Sequence, residues 1–304
     1  SGHIIGSSLC HIHVGEGLHN LLYTGDYNYD NTEMLRAADT NFQRVETMIT
    51  ESTYGGRDDK QTPREESNKK FLSKVKQTLN KGGKVIVPVF AVGRSQEVLG
   101  LLADEMDRSY FDYNVYIDGM IKGANALHTA YPEFLSKKVQ KKILHEDNSP
   151  FVKENVKPIG SHSEREEVHE DGPCIILTTS GSITGGPVMS YLEKEASNPD
   201  NSLIFVGYQF EGSLGRKIQN GADEVEINGR EVEVNLDVSS VSGFSAHSDR
   251  QQIINFSKNL RSTPNRIFTN HGEESKCFSL ASTLHKILNI DTSAPQNLEA
   301  NRLN

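Results

Sequence analysis

Short apolar segments alternate with amphipathic segments through the middle of this 304-residue chain, and this alternation constrains the fold more than any other feature. The apolar segments are bounded by glycine or polar residues, as buried strands are: 84–93, 115–118, 174–181 and 203–209. Apolar residues recur at helical spacing between them, at about 95–106, 125–135 and 187–196. Because parallel strands need a crossover, usually a helix, the alternation predicts an α/β fold with a parallel sheet.

The two ends of the chain predict further sheet and helix. The expected elements are strands at 9–14, 20–23, 47–50 and 266–269, a hairpin at 225–232, and helices ending near 260 and 288. Thr62-Pro63-Arg64-Glu65 predicts a helix start, with Thr62 as N-cap and Glu65 completing a capping box. The polar tail after residue 290 is expected to be irregular.

Charge and composition exclude several classes of protein. The chain carries 32 basic and 41 acidic residues, a net charge of −9, so it cannot hold nucleic acid through a uniformly basic surface. Any attraction for RNA must be local, from a basic groove or bound cations. An apolar run of about 20 residues, the length of a membrane helix, does not occur in the sequence. Three widely spaced cysteines argue against a disulfide framework and favour the cytoplasm.

Ionisable residues gather where predicted strands end or helices begin. They are His3 in a glycine-flanked turn, Asp26, Glu51, His247 and His271. Loops at strand ends are where α/β folds build their sites. Any one of these residues alone is a weak signal, because a single loop histidine is more often structural than a ligand. Together they indicate a site only if the fold brings them close in space.

The order of the motifs around these residues resembles the β-CASP branch of the metallo-β-lactamase fold. The motifs are Ser-Gly-His3, Tyr-Thr-Gly-Asp26, Glu51-Ser-Thr-Tyr-Gly, Ser-Ala-His247-Ser-Asp and Asn-His271-Gly-Glu. The nearest resemblance is to the nuclease subunit of the eukaryotic cleavage and polyadenylation specificity factor and its archaeal homologues. The resemblance covers essentially the whole chain, although Ser182 stands where the family pattern has Met.

The resemblance implies a role for each of the five residues. His3 and His271 match zinc ligands, and Asp26 matches the carboxylate that bridges two zinc ions in a complete site. His247 matches the proton donor at the scissile phosphate, and Glu51 matches the residue that orients it. Imidazole and carboxylate suit zinc, and a bridging carboxylate suits a two-metal phosphodiesterase.

The segment His11-Ile-His13-Val-Gly-Glu raises a separate question about metal binding. Family members carry His-x-His-x-Asp-His upstream of the residue matching His3, whereas this segment lies downstream and lacks the Asp-His half. We therefore interpret His11 and His13 as strand residues. We expect the chain to be the C-terminal portion of a longer protein, or one piece of a split one.

Two glycine-containing loops are candidates for contact with the RNA backbone. Ser180, Gly181, Gly185 and Gly186 lie between a predicted strand and a helix, where backbone N–H groups can meet a phosphate. A plain connection between strand and helix is the alternative. Arg94 opens another helix and either meets a phosphate or forms a surface salt bridge.

The resemblance implies a partial metallo-β-lactamase αββα domain, residues 1–57 and 238–304, with an inserted β-CASP parallel-sheet domain, residues 58–237. The implied function is a zinc-dependent ribonuclease acting on single-stranded RNA in mRNA 3′-end processing, transcription termination or RNA decay. A non-catalytic RNA-binding or scaffold subunit is the alternative. The resemblance also makes a homodimer plausible and implies partnership with KH domains or an upstream polypeptide of the same protein.

Overall fold

The computed structural model describes residues 1–108 and 111–303, which form two compact units. The first unit contains Ser1–Gln61 and the chain from Ala246 onward, and the second contains Thr62–Ser245. Within the described residues, none of the helices has the length and apolar character needed to cross a membrane.

The strands in chain order are β1 Cys10–Val14, β2 His19–Tyr23, β3 Thr47–Glu51, β4 Val85–Pro88, β5 Val115–Asp118, β6 Val156–Pro158, β7 Ile175–Thr178, β8 Ser202–Phe205, β9 Glu224–Ile227, β10 Arg230–Glu233, β11 Asp237–Ser240, β12 Arg266–Asn270 and β13 Asp291–Ser293. The helices are α1 Arg64–Asn80, α2 Arg94–Asp107, α3 Ile121–Ala130, α4 Lys137–Leu144, α5 His162–Glu170, α6 Val188–Glu195, α7 Leu214–Gln219, α8 Arg250–Asn259 and α9 Glu274–Leu288, with a 3₁₀ turn at Pro132–Phe134.

The first unit is built on a mixed sheet in the order β1-β2-β3-β12-β13. β1 and β2 form an antiparallel pair, and the other neighbours run parallel. The core of this unit joins buried residues of the sheet to those of α8 and α9: Leu22, Met48, Ile253, Phe256, Ile267, Leu280 and Leu284. Packing of both helices on the sheet fixes the ends of β2, β3 and β12 relative to one another.

The second unit is built on a parallel sheet in the order β11-β8-β4-β7-β5-β6. Alternate residues of one strand enter different cores: Val85 and Val87 of β4 enter one, and Ile86 enters the other. The sequence of a strand that is covered on both faces is a continuous apolar run, without alternation of apolar and polar residues. The predicted α/β fold with a parallel sheet is confirmed.

Several local features differ from the sequence expectations. β6, β11, β13 and α5 are additional elements, and the tail after residue 290 contains β13 in place of a wholly irregular segment. These strands are short and lie at or near sheet edges, so they lack an apolar pattern. Pro63 rather than Thr62 stands at the N-cap position of α1, without a side-chain cap bond, and the Thr62 hydroxyl instead hydrogen-bonds the Ser242 hydroxyl at 2.6 Å.

The bounds of the two units also differ from the predicted domain bounds after residues 57 and 237. Residues 58–61 belong to the first unit, where the Gln61 N–H donates to Asp249 Oδ2 at 3.1 Å. Residues 238–245 belong to the second unit because β11 pairs in parallel with β8. Short polar strands of this kind give no boundary signal in the sequence.

Two glycines of the second unit provide a matched test of this packing. A Cβ at Gly83 would lie 1.9 Å from the Asp200 carbonyl oxygen, whereas a Cβ at the exposed Gly123 of α3 would meet no atom within 4 Å. Gly83→Ala should lower the free energy of unfolding by about 1–3 kcal/mol. Gly123→Ala should raise it by about 0.4–1 kcal/mol, because alanine restricts the unfolded chain. Urea unfolding midpoints measure both, and equal shifts would contradict the packing at Gly83.

Candidate metal centre

The five ionisable residues predicted from the sequence lie together in the first unit. Asp26 follows β2, Glu51 is the last residue of β3, and His271 follows β12. His3 lies in the turn ahead of β1, and His247 lies ahead of α8. Since β2, β3 and β12 are parallel neighbours, their carboxyl ends meet at one edge of the sheet. The sheet order therefore brings together residues that are more than 200 positions apart in the sequence.

Asp26 lies between two histidines. Its Oδ1 is 2.9 Å from His271 Nδ1, and its Oδ2 is 3.8 Å from His3 Nε2. Each carboxylate oxygen thus faces a different imidazole. A carboxylate placed in this way has the donor atoms to bridge two cations.

His3 is held in the tautomer that suits a metal ligand. Its Nδ1 lies 3.1 Å from the carbonyl oxygen of Ala246. A carbonyl oxygen only accepts hydrogen bonds, so Nδ1 carries the proton and Nε2 presents its lone pair toward Asp26. Burial and the neighbouring His247 ring lower the pKa of His3, against the opposing effect of the nearby carboxylates. A lowered pKa favours the neutral imidazole, which is the form that binds metal.

A glycine ahead of His3 allows the turn that carries this histidine. Gly2 has φ +75°, and a Cβ there would lie 2.7 Å from the Arg36 carbonyl oxygen and 2.9 Å from that of Asn28. Both neighbours are backbone atoms, which cannot move aside as a flexible side chain can. The close approach therefore requires glycine at this position.

His247 is oriented by a buried carboxylate. Its Nδ1 lies 2.8 Å from Glu51 Oε2 and 3.0 Å from Oε1, and Glu51 is only 1% exposed. The Tyr27 N–H also donates to Glu51 Oε1, at 3.0 Å. Burial acts to raise the pKa of Glu51, but the hydrogen bond and charge of His247 and the Tyr27 amide hold the pKa below its usual value. Glu51 therefore stays a carboxylate and fixes the ring of His247.

His271 takes its position from a left-handed backbone at the end of β12. Its φ is 50°, and its carbonyl oxygen accepts from the Ser52 N–H at 3.4 Å and the Thr53 hydroxyl at 3.3 Å. A Cβ at Gly272 would lie 2.5 Å from the Ser52 carbonyl oxygen, so the next residue must be glycine. The turn is thus fixed against β3 while the His271 ring stays more than half exposed.

The five side chains form two overlapping groups that could hold a metal ion. One group is His3, Asp26 and His247, and the other is Asp26, Glu51 and His271. Within each group one ligand atom per residue lies within 4.8 Å of the others. Histidine nitrogen and carboxylate oxygen form a donor set that suits zinc, and Asp26 is common to both groups. The residues present therefore fit a metal centre.

The segment before α8 is anchored by residues that sequence reasoning missed. The Ser248 N–H donates to the Tyr27 carbonyl oxygen at 2.8 Å. The Ser248 hydroxyl donates to the same oxygen at 3.1 Å and accepts from the Tyr29 N–H at 2.9 Å. These bonds join the residue after His247 to the segment after Asp26. Nothing in the local sequence indicates them.

Helix α8 begins with a capping box that the sequence does display. The Asp249 side chain accepts from the Gln252 N–H, and the Gln252 side chain accepts from the Asp249 N–H. The Gln61 side-chain amide also donates to the carbonyl oxygen of His247. The pattern Asp-x-x-Gln is a capping signal for the helix that the sequence predicts directly after His247.

His11 and His13 lie in β1, as predicted, and bond to other parts of the protein. His11 Nε2 lies 2.7 Å from the Arg44 carbonyl oxygen, and His13 Nδ1 is in contact with the Asn20 side chain. In the described part of the chain, the groups able to hold a metal include neither histidine.

The predicted RNA-contacting loop follows β7 in the second unit. The Ser180 hydroxyl accepts from the Thr184 N–H at 2.9 Å, which closes the loop on itself. A Cβ at Gly185 would meet no atom within 4 Å, so space is open around this glycine. Gly186 has φ +80° and packs against the Thr179 carbonyl oxygen.

Gly181 and Arg94 have more enclosed surroundings than that loop. A Cβ at Gly181 would lie 3.0 Å from the backbone nitrogen of Phe90, so this glycine packs against the end of β4. Arg94 is 8% exposed at the start of α2, so most of its side chain is enclosed by the protein. Contact of these loop residues and of Arg94 with RNA remains a prediction.

Two family models match the chain. The Beta-Casp domain matches residues 95–218, inside the second unit. The Zn-dependent metallo-hydrolase RNA specificity domain matches residues 231–295, which include His247 and His271. Both models describe domains related to the metallo-β-lactamase fold, so the expected fold class is confirmed.

Archaeal proteins named transcription termination factor FttA are similar over nearly the whole chain. The protein of Methanocaldococcus jannaschii is 47% identical over 309 residues, covering 100% of this chain and 49% of the relative. Those of Thermococcus kodakarensis and Lokiarchaeum sp. are 44% and 45% identical, covering 100% and 98% of this chain and 48% of each relative. The chain thus spans about half the length of the curated relatives it matches. With both family models and these archaeal relatives in agreement, the chain belongs to the β-CASP family of metallo-β-lactamase-fold proteins.

Proposed function

We propose that this chain carries part of the active site of a zinc-dependent ribonuclease that cleaves phosphodiester bonds of single-stranded RNA. The observation that supports this most is Asp26, whose two carboxylate oxygens face His3 and His271 beside the Glu51–His247 pair. A bridging carboxylate and an oriented imidazole are the groups that metal-assisted phosphodiester hydrolysis needs.

His3, Asp26 and His271 are the residues that would hold zinc. Their donor atoms are imidazole nitrogen and carboxylate oxygen, which match the ligands zinc prefers, and Asp26 belongs to both candidate metal groups. Zinc, when bound, supplies Lewis acidity that activates water and neutralises charge on the phosphate oxygens. We infer two zinc ions in a complete site, because one carboxylate oxygen of Asp26 faces His3 and the other faces His271.

His247 is the proposed proton donor to the leaving oxygen of the RNA. Its Nδ1–H is directed to the carboxylate of Glu51, which stabilises the protonated ring and leaves Nε2 as the nitrogen that transfers the proton. As the oxygen of a water molecule bonds to phosphorus, the bond from phosphorus to the leaving oxygen breaks, and that oxygen takes the proton of Nε2. Glu51 itself is a positioning residue, since its oxygens are occupied by His247 and the Tyr27 amide.

The relatives suggest the biological setting. They are named as transcription termination factors, and we infer that the substrate of this protein is nascent or newly made RNA in the cytoplasm. A homodimer and association with KH domains belong to the same proposal.

The competing candidate is a non-catalytic RNA-binding or scaffold subunit. It is disfavoured because all five matched positions carry side chains able to bind metal or transfer protons.

Removal of the bridging carboxylate should remove metal. Asp26→Ala should weaken binding of added Zn²⁺ by on the order of 100-fold or more, because both sides of the site lose a ligand. Titration calorimetry with Zn²⁺ and elemental analysis of the dialysed protein measure this loss. His11→Ala is the matched control and should bind zinc as the wild type does. Equal zinc binding by Asp26→Ala and the wild type would contradict the bridging role.

Removal of the proton donor should separate catalysis from metal binding. His247→Ala should lower RNA cleavage by about 10²- to 10⁴-fold, the usual contribution of a general acid. Zinc content should stay at the wild-type value, because Asp26, His3 and His271 remain. A large loss of zinc would instead make His247 a ligand, a role that its place in the group with His3 and Asp26 also allows. Cleavage at the wild-type rate would exclude the acid role.

The carboxylate behind His247 should affect catalysis without being a ligand. Glu51→Gln keeps the shape of the side chain but removes the charge that stabilises protonated His247. We expect a drop in kcat with little change in KM or zinc content, because the substitution acts on the proton transfer alone. Single-turnover cleavage measured over a range of RNA concentrations separates kcat from KM. A change confined to KM would place Glu51 in substrate binding instead.

A further inference from the structure

Exposed aromatic side chains follow two neighbouring strands of the second unit. Phe90 lies just beyond β4, and Tyr208 and Phe210 lie just beyond β8. They are 45%, 38% and 45% exposed, although large apolar rings are normally buried. Because β4 and β8 are parallel neighbours, all three lie at the carboxyl-end edge of the sheet, where α/β folds bind ligands. We call these three residues the aromatic edge.

Two glycines lie close to the ring of Phe90. A Cβ at Gly181 would lie 3.1 Å from Phe90 Cδ2, and one at Gly207 would lie 4.0 Å from Phe90 Cε2. Any side chain at position 181 would press on the ring. The glycines therefore let the loops after β7 and β8 approach Phe90 closely while part of its ring remains open to solvent.

The loop that carries Tyr208 and Phe210 is tied to the loop after β7. The side-chain amide of Gln209, which is 1% exposed, donates to the Gly181 carbonyl oxygen at 2.8 Å. The Ser182 hydroxyl donates to the Tyr208 carbonyl oxygen at 3.4 Å. These bonds fix the loop that carries Tyr208 and Phe210 before a ligand binds, and this preorganisation lowers the entropy cost of binding.

A guanidinium group lies beside the aromatic edge. The Arg216 guanidinium carbon is 5.3 Å from the centre of the Tyr208 ring, within the range of a cation–π contact. Aromatic rings beside arginine form the kind of surface that binds single-stranded nucleic acid, with rings stacking on bases and arginine meeting phosphate.

The charge of the chain gives stacking a large part in such binding. A net charge of −9 gives little overall attraction for a polyanion. Base stacking on an aromatic ring is independent of that charge and adds affinity for each base bound. Exposed rings on a parallel-sheet edge supply this contribution where electrostatic attraction does not.

We infer that Phe90, together with Tyr208 and Phe210, is a stacking surface for unpaired RNA bases, with Arg216 contacting the adjoining phosphate. This inference rests on the proposed function, because it assumes a single-stranded RNA substrate. It adds residues of the second unit that neither the predicted metal centre nor the predicted glycine loop includes. A protein partner docked on the same rings is the competing occupant.

Binding of oligo(rA) of about 12 nucleotides tests the stacking surface, with a chelator present so that cleavage is blocked. Fluorescence anisotropy at several salt concentrations gives both the affinity and its salt dependence. Phe90→Ala should weaken binding by about 5- to 150-fold without changing the slope of log K against log salt. Arg216→Gln should reduce the magnitude of that slope by about 0.7.

Two variants and one altered RNA serve as controls. Phe134→Ala removes a ring of the same unit that is 57% exposed but lies in the 3₁₀ turn after α3, and it should bind as the wild type does. Phe90→Tyr keeps an aromatic face and should retain most of the affinity. An oligomer of the same length with an abasic backbone should bind Phe90→Ala and the wild type equally, because it offers nothing to stack.

The outcomes separate this inference from the proposed function. If the wild type binds RNA and Phe90→Ala binds equally well, the stacking surface is wrong, the rings serve another partner, and the proposed ribonuclease stands. If Phe90→Ala weakens binding of the abasic oligomer as much as that of oligo(rA), the ring does not contact bases and the inference is overturned. If the wild type binds no RNA under these conditions, the stacking surface is wrong, and cleavage of single-stranded RNA with Zn²⁺ present tests the proposed ribonuclease separately.

Discussion

A carboxylate buried at the end of β3 organises the candidate site. Glu51 is almost fully buried and stays charged, so it must be surrounded by hydrogen-bond donors. The fold supplies them from two distant parts of the sequence, the Tyr27 amide after β2 and the His247 ring before α8. Bonds from Ser248 to Tyr27 and Tyr29 join the same two segments. Satisfying one buried charge therefore also places His247 beside His3 and Asp26.

The strand order of the mixed sheet places residues that are distant in the sequence close together in space. β2, β3 and β12 are parallel neighbours, so residues that follow them arrive at one edge whatever their separation in the chain. Asp26 and His271 meet there at 2.9 Å. His3 reaches the same place through a turn that needs glycine at position 2. A metal centre built this way depends on the register of the sheet rather than on a contiguous motif.

Sequence reasoning found Asp26, Glu51 and His271 at the ends of predicted strands, and the order of the motifs, which resembles the β-CASP family, added His3 and His247 and gave all five a role. It found the parallel α/β sheet because its strands are buried on both faces. It could not show that β12 lies beside β3, since local periodicity contains no strand order. It missed β11 and β13 because edge strands need no apolar pattern. The helix cap at Thr62 was wrong, since Pro63 stands at the N-cap position and the Thr62 hydroxyl instead hydrogen-bonds the Ser242 hydroxyl. Phe90 and Tyr208 were overlooked because they continue apolar strand segments and read as strand interior.

The acidity of the chain connects the proposed metal centre with the proposed binding of RNA. Asp26 and Glu51 place two carboxylates where a phosphate should react, and like charges repel unless cations intervene. In the proposed metal centre, Asp26, His3 and His271 bind the cations that reverse the local charge. The inferred stacking on rings such as Phe90 adds affinity that is independent of charge. The proposed function and the inferred stacking surface together account for how a chain with a net charge of −9 would bind RNA without a broadly basic face.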